Sequence, residues 1–380
     1  MRRPAPILPS LLGGAAALLL LGLPARAQDG AFSEEAVSFE ATPTSTIAGT
    51  VAVPDGPGPF PAVVLASGSG PQDRDGAGPG LGELRINRDL AHDLAGSGVL
   101  VLRADDRGVG ESQFTGDAAS VTSLDLADDL AAAVRYLAGR PDVEWIAVVG
   151  HSEGGILAPV VAGREPAVDA VVLVAAPAVS GVETILDQNR AGLRSAGVDS
   201  AATEAFVDHL RPALERLARD PATPLDEAAR DSLSGLFRAA FVALPDADRV
   251  RIGLSDAALD PAVAQTVAAA SSQAYRALLA LDPEPYVRAL RVPALALYFE
   301  LDRQVTPALH AGPMREALAS SSSPDWEVTT MGGVNHVLQT AETGSPAEYP
   351  TLPPRPAPAV LETITAWILD AAAHATGGAE

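Results

Sequence analysis

Five short apolar runs without alternating polar residues recur along the chain, a pattern typical of strands that are covered on both faces. These runs are residues 62–66, 99–102, 145–149, 170–175 and 293–299. Between them, apolar positions repeat at helical spacing over residues 86–97 and 126–137, and residues 36–53 alternate like a pair of N-terminal strands. Strands joined by crossover helices predict an α/β fold with a mostly parallel central sheet, helices on both faces and ligands at the carboxyl ends of the strands.

Residues 178–289 break this rhythm, because they hold helical segments rich in Ala, Leu and Arg and no convincing strand. The segments lie around residues 182–195, 202–219, 226–243 and 259–281. Extra helical packing is one interpretation; we favour a helical cap that roofs the strand ends and walls a substrate pocket. The predicted division is therefore a core over residues 28–177, a cap over 178–289 and a second part of the core over 290–380.

The N-terminus has the pattern of a secretory signal peptide. An arginine pair precedes an apolar run over residues 7–23, and Ala25 and Ala27 supply the small residues that a signal peptidase accepts. Residues 1–27 are the predicted signal peptide, so that the mature chain begins at Gln28 in the periplasm or outside the cell, without a membrane span. An uncleaved anchor and a twin-arginine signal are the alternatives, although the run is short for a span and the usual twin-arginine flanks are missing.

Composition excludes several kinds of function. The 26 basic residues, all arginine, stand against 48 acidic ones, and the formal charge of −22 argues against nucleic acid or anionic lipid as a partner. Loss of the three arginines in residues 1–27 would take that charge to −25. Without lysine there is no Schiff-base chemistry, and without cysteine there is no thiol catalysis, disulfide or thiolate metal site.

The segment Gly150-His151-Ser152-Glu153-Gly154-Gly155 matches the G-x-S-x-G pattern of a nucleophile elbow. It directly follows the apolar run at 145–149 and directly precedes an apolar helical stretch, which is the strand–turn–helix context that the mechanism requires. We therefore predict that Ser152 is a nucleophile; a Gly-rich turn with an inert serine is the alternative.

A nucleophilic serine needs a histidine base, and the chain has six histidines. Five are poorly placed, in predicted helices, in the cap, in the C-terminal tail or beside the serine with the ring pointing away: His92, His151, His209, His310 and His374. The remaining candidate is His336, in a Gly-rich loop after the strand-like run WEVTTM.

An acid must orient that base, and Asp302 follows the apolar run that ends at residue 299. This choice gives the chain order Ser, Asp, His that is usual for an α/β hydrolase. Glu300 is the nearest alternative, and Glu183, near the start of the cap, is a weaker one.

An oxyanion hole requires two backbone N–H groups that are already in place. The first is expected from Glu153, the residue after the nucleophile. The second is expected from the loop after the first buried strand, at Ser69 or alternatively at Gly68. The side chain of Glu153 and the charged residues of two nearby loops are interpreted as structural, the latter as ion-paired turns: Asp73, Arg74, Asp75, Asp105, Asp106 and Arg107.

Five spaced motifs resemble bacterial α/β-hydrolase esterases of the esterase D-like and serine aminopeptidase-like kind. They are SGSGPQDRD (67–75), LRADDRGVGES (102–112), GHSEGG (150–155), DPEPYVRALRVPALALYFELDRQV (282–305) and GGVNHVLQTAETGSPAEY (332–349). The resemblance implies a triad of Ser152, Asp302 and His336, short-to-medium acyl ester substrates and no cofactor. Phe299 and Ala104 stand where the family usually has glycine and tyrosine, which leaves the size of the substrate open.

Other chemistries find little support, because the chain has neither an HExxH motif nor a P-loop. The sequence predicts a secreted or periplasmic serine hydrolase that cleaves a small-molecule ester through an acyl-enzyme, with no metal and no cofactor. A serine exopeptidase is the first alternative, and a catalytically silent secreted binding protein on the same scaffold is the second.

Overall fold

The computed structural model describes residues 32–78 and 80–377, so the predicted signal peptide lies outside the described residues. The strands found there are β1 Phe32–Thr42, β2 Ser45–Pro54, β3 Phe60–Ala66, β4 Leu100–Ala104, β5 Gln113–Phe114, β6 Val143–His151, β7 Ala170–Val174, β8 Ala294–Phe299 and β9 Trp326–Met331. The α-helices are α1 Ile86–Gly96, α2 Ser123–Ala138, α3 Glu153–Ala162, α4 Gly181–Ser195, α5 Ser200–Ala218, α6 Glu227–Ala243, α7 Asp246–Arg251, α8 Asp256–Ala270, α9 Gln273–Ala280, α10 Glu284–Arg288, α11 Pro307–Ala319 and α12 Pro358–Gly377. Two 3-10 helices cover Ala118–Ser120 and Pro346–Thr351.

The strands form one sheet in the order β1-β2-β4-β3-β6-β7-β8-β9, with β5 beside β2. β2 is antiparallel to β1 and β4, whereas the pairings from β4 through β3 to β9 are parallel. β7 and β8 are buried along their whole length, which explains why their sequences lack polar alternation. The predicted mostly parallel sheet is confirmed.

Helices cover both faces of this sheet. On one face, α2, α3, α10 and α11 pack on alternate strand residues such as Val64 and Val148. On the other face, α1 and α12 pack on the intervening residues, such as Val63 and Ala147. The result is the expected α/β-hydrolase architecture, in which loops at the carboxyl ends of the parallel strands meet at one edge.

The segment between β7 and β8 is helical, and we call residues 178–289 the helical insertion. Its residues from Val182 to Leu279 enclose a hydrophobic core of their own, which includes Leu186, Leu214, Leu233 and Leu279, whereas α10 near its end packs on the sheet through Val287. Helices were predicted near the positions of α4, α5 and α6, and these predictions are confirmed.

One helix of the helical insertion was predicted with the wrong bounds, and two short helices were not predicted. A single helix over residues 259–281 is instead α8 followed by α9, because the Ser272 hydroxyl accepts a hydrogen bond from the Tyr275 N–H and so starts a new helix. The short helices α7 and α10 were not predicted, since their sequences DADRVR and EPYVR carry almost no apolar periodicity.

The start of α4 meets the segment after α9 at Gly181, whose N–H donates to the carbonyl oxygen of Leu281 at 2.9 Å. A Cβ at Gly181 would overlap the carbonyl oxygen of Leu278, so this close approach requires glycine. A further contact joins the helical insertion to the loop after β8, where the Thr306 hydroxyl donates to the carboxylate of Asp187 at 2.5 Å. The helical insertion is thus attached beside the carboxyl end of β8.

At the C-terminus, His374 lies on α12 rather than in an irregular tail, and its side chain is exposed. Within residues 32–78 and 80–377, no helix combines the length and the apolar character needed to cross a bilayer.

Candidate active site

Ser152 occupies a sharp turn between the end of β6 and the start of α3. Its backbone angles, φ 54° and ψ −117°, lie outside the regions that L-residues usually adopt. Two backbone hydrogen bonds hold this conformation: the Ser152 N–H donates to the Val174 carbonyl, and the Gly155 N–H donates to the Ser152 carbonyl, both at 2.9 Å. The strand–turn–helix geometry predicted for a nucleophile elbow is present, with the serine at the carboxyl end of the sheet.

Glycines around Ser152 allow strand and helix to approach each other. A Cβ at Gly150 would overlap the backbone of Gly154, and a Cβ at Gly154 would overlap the carbonyl of Ala66. The turn therefore has no space for side chains at these two positions.

We expect Gly150→Ala to lower the melting temperature and to abolish labelling of Ser152 by a fluorophosphonate, because the added methyl group forces the elbow apart. Gly192→Ala is the matched control: Gly192 lies in α4 with nothing near its missing Cβ, and alanine there should stabilise the fold by about 0.5–1 kcal/mol. Thermal unfolding and gel-based labelling check both variants. Full labelling of Gly150→Ala would contradict the tight turn.

His336 and Asp302 form a buried hydrogen-bonded pair. The Nδ1–H of His336 donates to Oδ2 of Asp302 at 2.8 Å, and the two residues are only 4% and 1% exposed. The other oxygen of Asp302, Oδ1, accepts the N–H groups of Gln304 at 2.7 Å and Val305 at 2.8 Å. Because both oxygens have fixed donors, the carboxylate holds the proton of His336 on Nδ1 and leaves Nε2 as a proton acceptor.

The loop that carries His336 is held by two buried amides, Asn335 and Gln339. The side-chain oxygen of Asn335 accepts the N–H groups of Val337 at 3.1 Å and Gln339 at 2.9 Å. The side-chain amide of Gln339 in turn donates to the carbonyl oxygen of Tyr349 at 3.2 Å. These contacts fix the backbone on both sides of the imidazole.

His151 connects the elbow to this loop, a role that was not predicted. Its Nε2–H donates to the carbonyl oxygen of His336 at 2.8 Å, and the two ring centroids lie 4.9 Å apart. Burial lowers the pKa of His151 to about 4, with a further contribution from the neighbouring His336. A neutral His151 therefore holds the His336 backbone next to Ser152, and its place before the serine was the only sequence signal.

Two of the predicted oxyanion residues, Gly68 and Glu153, lie beside Ser152. A Cβ on Gly68 would lie 3.3 Å from the Ser152 Cβ and 3.4 Å from Nδ1 of His151, so the loop after β3 lies against the elbow, with Ser69 next in the chain. Glu153 is the first residue of α3, where a backbone N–H has no partner within the helix and the helix dipole favours negative charge. The loop after β3 and the start of α3, which hold the two predicted sources of N–H groups, therefore both lie beside the serine.

The alternative acids are bound elsewhere. The carboxylate of Glu300 accepts the Gly333 N–H at 3.1 Å, and that of Glu183 pairs with Arg211 inside the helical insertion. Among the described residues, Asp302 is the carboxylate bonded to the imidazole of His336.

The side chain of Glu153 is buried behind the elbow and accepts the Ser123 hydroxyl at 2.5 Å. Burial raises the pKa of this carboxyl group, and the Ser123 hydrogen bond opposes that shift. This contact agrees with the structural role predicted for the Glu153 side chain.

The expected ion pairs of the two loops form for most of their residues. Arg74 binds Asp105 at 2.6 Å, and Arg107 binds Asp129 at 2.6 Å. The interpretation of Asp73 and Asp106 as ion-paired residues was wrong. The Asp73 carboxylate accepts the N–H groups of Asp75 and Ala77, both at 3.0 Å, and the Asp106 carboxylate accepts hydrogen bonds from Ser67 and Gln72.

His310, on α11, is fully buried behind the His336–Asp302 pair. Its Nδ1 accepts the Ala178 N–H at 3.1 Å, so Nε2 carries the proton, and Nε2 has no partner in the part of the chain that the structure describes. Burial lowers the pKa of His310 to about 4, against the opposing effect of Asp187 and Asp302. His310 is therefore neutral in the folded protein at neutral pH.

This burial predicts an acid-sensitive contribution to stability. Because the pKa of His310 is about 4 when folded and 6.5 ordinarily, the unfolded chain binds more protons between these values, and stability falls as the pH drops through them. The stability difference between the wild type and His310→Asn should shrink by up to about 3 kcal/mol between pH 7 and 4. Urea unfolding at several pH values measures it, with the exposed His209→Asn as the control. A difference that stays constant with pH would contradict the burial of a neutral ring.

Within residues 32–78 and 80–377, no group of three or more His, Asp or Glu side chains is arranged to hold a metal ion.

The chain matches a known protein family over more than half of its length. The Hydrolase_4 family model, described as serine aminopeptidase S33, matches residues 81–342, which include Ser152, Asp302 and His336. Esterase EstD of Thermotoga maritima is 34% identical over 194 residues, which cover 51% of this chain and 43% of that protein. The chain thus aligns with less than half the length of this relative.

Two solved structures are similar to this chain. DcsB, solved with a substrate analogue, has a TM-score of 0.50 at 17% identity, and the match covers 89% of this chain and 99% of DcsB. Est1E from Butyrivibrio proteoclasticus, solved with ferulic acid, has a TM-score of 0.49 at 15% identity, covering 89% of this chain and all of its own. At such low identity, the likeness to DcsB shows the fold alone.

Proposed function

The chain belongs to the serine aminopeptidase S33 family of α/β hydrolases, and from this membership and the site geometry we propose that it cleaves short-to-medium acyl esters through an acyl-enzyme. The observation that carries the proposal is the buried 2.8 Å hydrogen bond between His336 and Asp302, close to the strained Ser152 elbow. In this proposal Ser152, His336 and Asp302 form the catalytic triad.

The reaction begins when the Ser152 hydroxyl attacks the ester carbonyl and passes its proton to Nε2 of His336. The N–H groups of Glu153 and Ser69 bind the negative oxygen of the tetrahedral intermediate. His336 then protonates the leaving alcohol, and the acyl group stays on Ser152 until a water molecule, activated by the same imidazole, releases the acid. Asp302 stabilises the imidazolium in both steps and keeps its own charge.

Two features support an ester over a peptide bond as the substrate. The relative at 34% identity is an esterase, and Glu183, the carboxylate near the start of the helical insertion, is paired with Arg211 rather than free to bind a peptide amine. The helical insertion roofs the acyl pocket in this proposal, since Asp187 on α4 is bonded to Thr306, close in sequence to Asp302. The family description favours an exopeptidase as the second candidate.

Three assays separate these candidates. A fluorophosphonate probe should label the wild type at Ser152, and p-nitrophenyl esters of graded acyl length should be hydrolysed much faster than aminoacyl anilides. Faster cleavage of the anilides would favour the exopeptidase. A protein that is neither labelled nor active on any substrate would be a silent binding protein.

We also propose that the protein is exported and works in the periplasm or outside the cell, because residues 1–27 have the arginine pair, apolar run and small residues of a signal peptide. N-terminal sequencing of protein isolated from its native cells should begin at Gln28. An intact Met1 on membrane-bound protein would indicate an anchor instead, and an intact Met1 in the cytoplasm would exclude export.

A further inference from the structure

Asp106 forms hydrogen bonds with both ends of the loop that carries the second oxyanion amide. We call this loop the oxyanion loop (residues 67–72). One carboxylate oxygen accepts the Ser67 hydroxyl at 3.1 Å, and the other accepts the Gln72 N–H at 2.9 Å. The backbone N–H of Asp106 donates to the Gln72 carbonyl at 3.1 Å. We propose that Asp106 is a positioning residue for oxyanion stabilisation, acting through these three contacts; this inference rests on the proposed function.

The oxyanion loop needs such an external support because of its own composition. Gly68 and Gly70 leave its backbone free to adopt many conformations, and Gly70 has a φ of +87° with nothing near its missing Cβ. Ser69, which lies between them, is exposed. The other support is the Gln72 side chain, whose amide donates to the Ser69 carbonyl at 3.4 Å, and Gln72 is itself held by Asp106.

Asp105 and Arg107, the neighbours of Asp106 in the chain, form ion pairs instead. Asp105 binds Arg74 and Arg107 binds Asp129, so each brings two segments together by an ion pair. Among the described residues, no ion pair involves Asp106, and its two side-chain contacts both go to the oxyanion loop. The three consecutive residues thus separate two roles: ion pairing by Asp105 and Arg107, and support of the oxyanion loop by Asp106.

The surroundings of Asp106 make a purely stabilising role a poor explanation. Burial raises the pKa of Asp106 to about 7, and the nearby carboxyl groups of Glu153 and Asp129 contribute to the same shift. A charge held in such a place costs free energy of folding. We infer that this cost is tolerated because Asp106 fixes the position of the oxyanion loop beside the Ser152 elbow.

The test compares kcat, KM and inhibitor affinity in Asp106→Ala and Asp106→Asn. We expect Asp106→Ala to lower kcat for a p-nitrophenyl ester by about 10- to 100-fold, with little change in KM. This loss is smaller than, or comparable to, the loss caused by removing one oxyanion donor. Affinity for a trifluoromethyl ketone, which forms an oxyanion on Ser152, should fall by the same factor. Asp106→Asn should keep most of the activity, because its amide oxygen can accept the Gln72 N–H while its amino group donates to Ser67.

Asp169→Ala is the matched control. Asp169 lies just before β7, at the opposite end of the sheet, and its carboxylate accepts the Ile146 N–H at 2.8 Å with a pKa that burial also raises. This variant should lower the melting temperature and leave kcat and ketone affinity unchanged. Ser67→Ala removes one of the three contacts. We expect it to lower kcat several-fold and to lower the affinity for the ketone by the same factor.

Wild-type kcat and ketone affinity in folded Asp106→Ala would overturn the inference. So would equal losses in Asp106→Ala and Asp106→Asn, since the conservative variant would then fail to rescue. If Asp106→Ala does not fold, unchanged kcat and ketone affinity in Ser67→Ala would overturn it instead. A wild type that is neither labelled nor active would remove the proposed function and this inference together, whereas an active wild type with unaffected variants removes the inference alone.

Discussion

Ser152→Ala is expected to lower turnover of p-nitrophenyl acetate by about 10⁴- to 10⁶-fold and to abolish fluorophosphonate labelling, while the melting temperature stays close to that of the wild type. The variant loses the attacking oxygen, and alanine must then occupy the same strained turn at φ 54°. Hydrolysis that persists would come from the oxyanion hole and substrate binding alone. Steady-state kinetics and mass spectrometry of labelled peptides provide the measurement.

His336→Ala should be about as damaging, and the double variant Ser152→Ala/His336→Ala should be hardly worse than either single one, because triad members act as a unit. Ser234→Ala, on α6, removes a serine whose hydroxyl donates, among the described residues, to the Arg230 carbonyl of its own helix, and it should retain full activity. If the two single losses multiply in the double variant, Ser152 and His336 act independently and the triad assignment is wrong.

Features that depend on neighbouring residues could be predicted from the sequence. β7 is buried on both faces, so its five residues are all apolar and the strand was recognisable. The elbow was recognisable for a similar reason, because its conformation requires glycines at fixed positions around Ser152. His336 and Asp302 could be selected by chain order, since the fold brings the loops after β8 and β9 to the same edge.

Contacts between distant segments could not be predicted in this way. His151 bonds to the carbonyl of His336 across 185 positions, and nothing in the local sequence of either residue indicates this contact. Asp106 stands between Asp105 and Arg107, so its charge suggested a third ion pair, although its carboxylate reaches back to Ser67 and Gln72. Both roles depend on which loops the sheet topology places side by side.

The orientation of the His336 imidazole also depends on contacts between distant segments. For this reason Asp302→Asn is expected to cause the second large loss of turnover. In the wild type, Oδ1 of Asp302 accepts two backbone N–H groups, from Gln304 and Val305, and Oδ2 accepts Nδ1–H of His336. An asparagine must keep its single oxygen toward the two N–H groups, so its amino group faces His336 and donates to Nδ1. The proton of the imidazole is then forced onto Nε2, where it blocks proton transfer from Ser152.

We therefore expect Asp302→Asn to fold like the wild type and to lose turnover by about 10⁴-fold. The ¹⁵N chemical shifts of His336 should show the proton moving from Nδ1 to Nε2, which separates a wrong tautomer from a general disturbance of the site. Glu300→Gln is the matched control, since a glutamine oxygen can still accept the Gly333 N–H that Glu300 binds at 3.1 Å, and turnover should change little. If Glu300→Gln is the more damaging change, or if Asp302→Asn keeps its activity with the proton still on Nδ1, then Asp302 does not orient the base, and the buried pair with His336 serves the fold rather than the reaction.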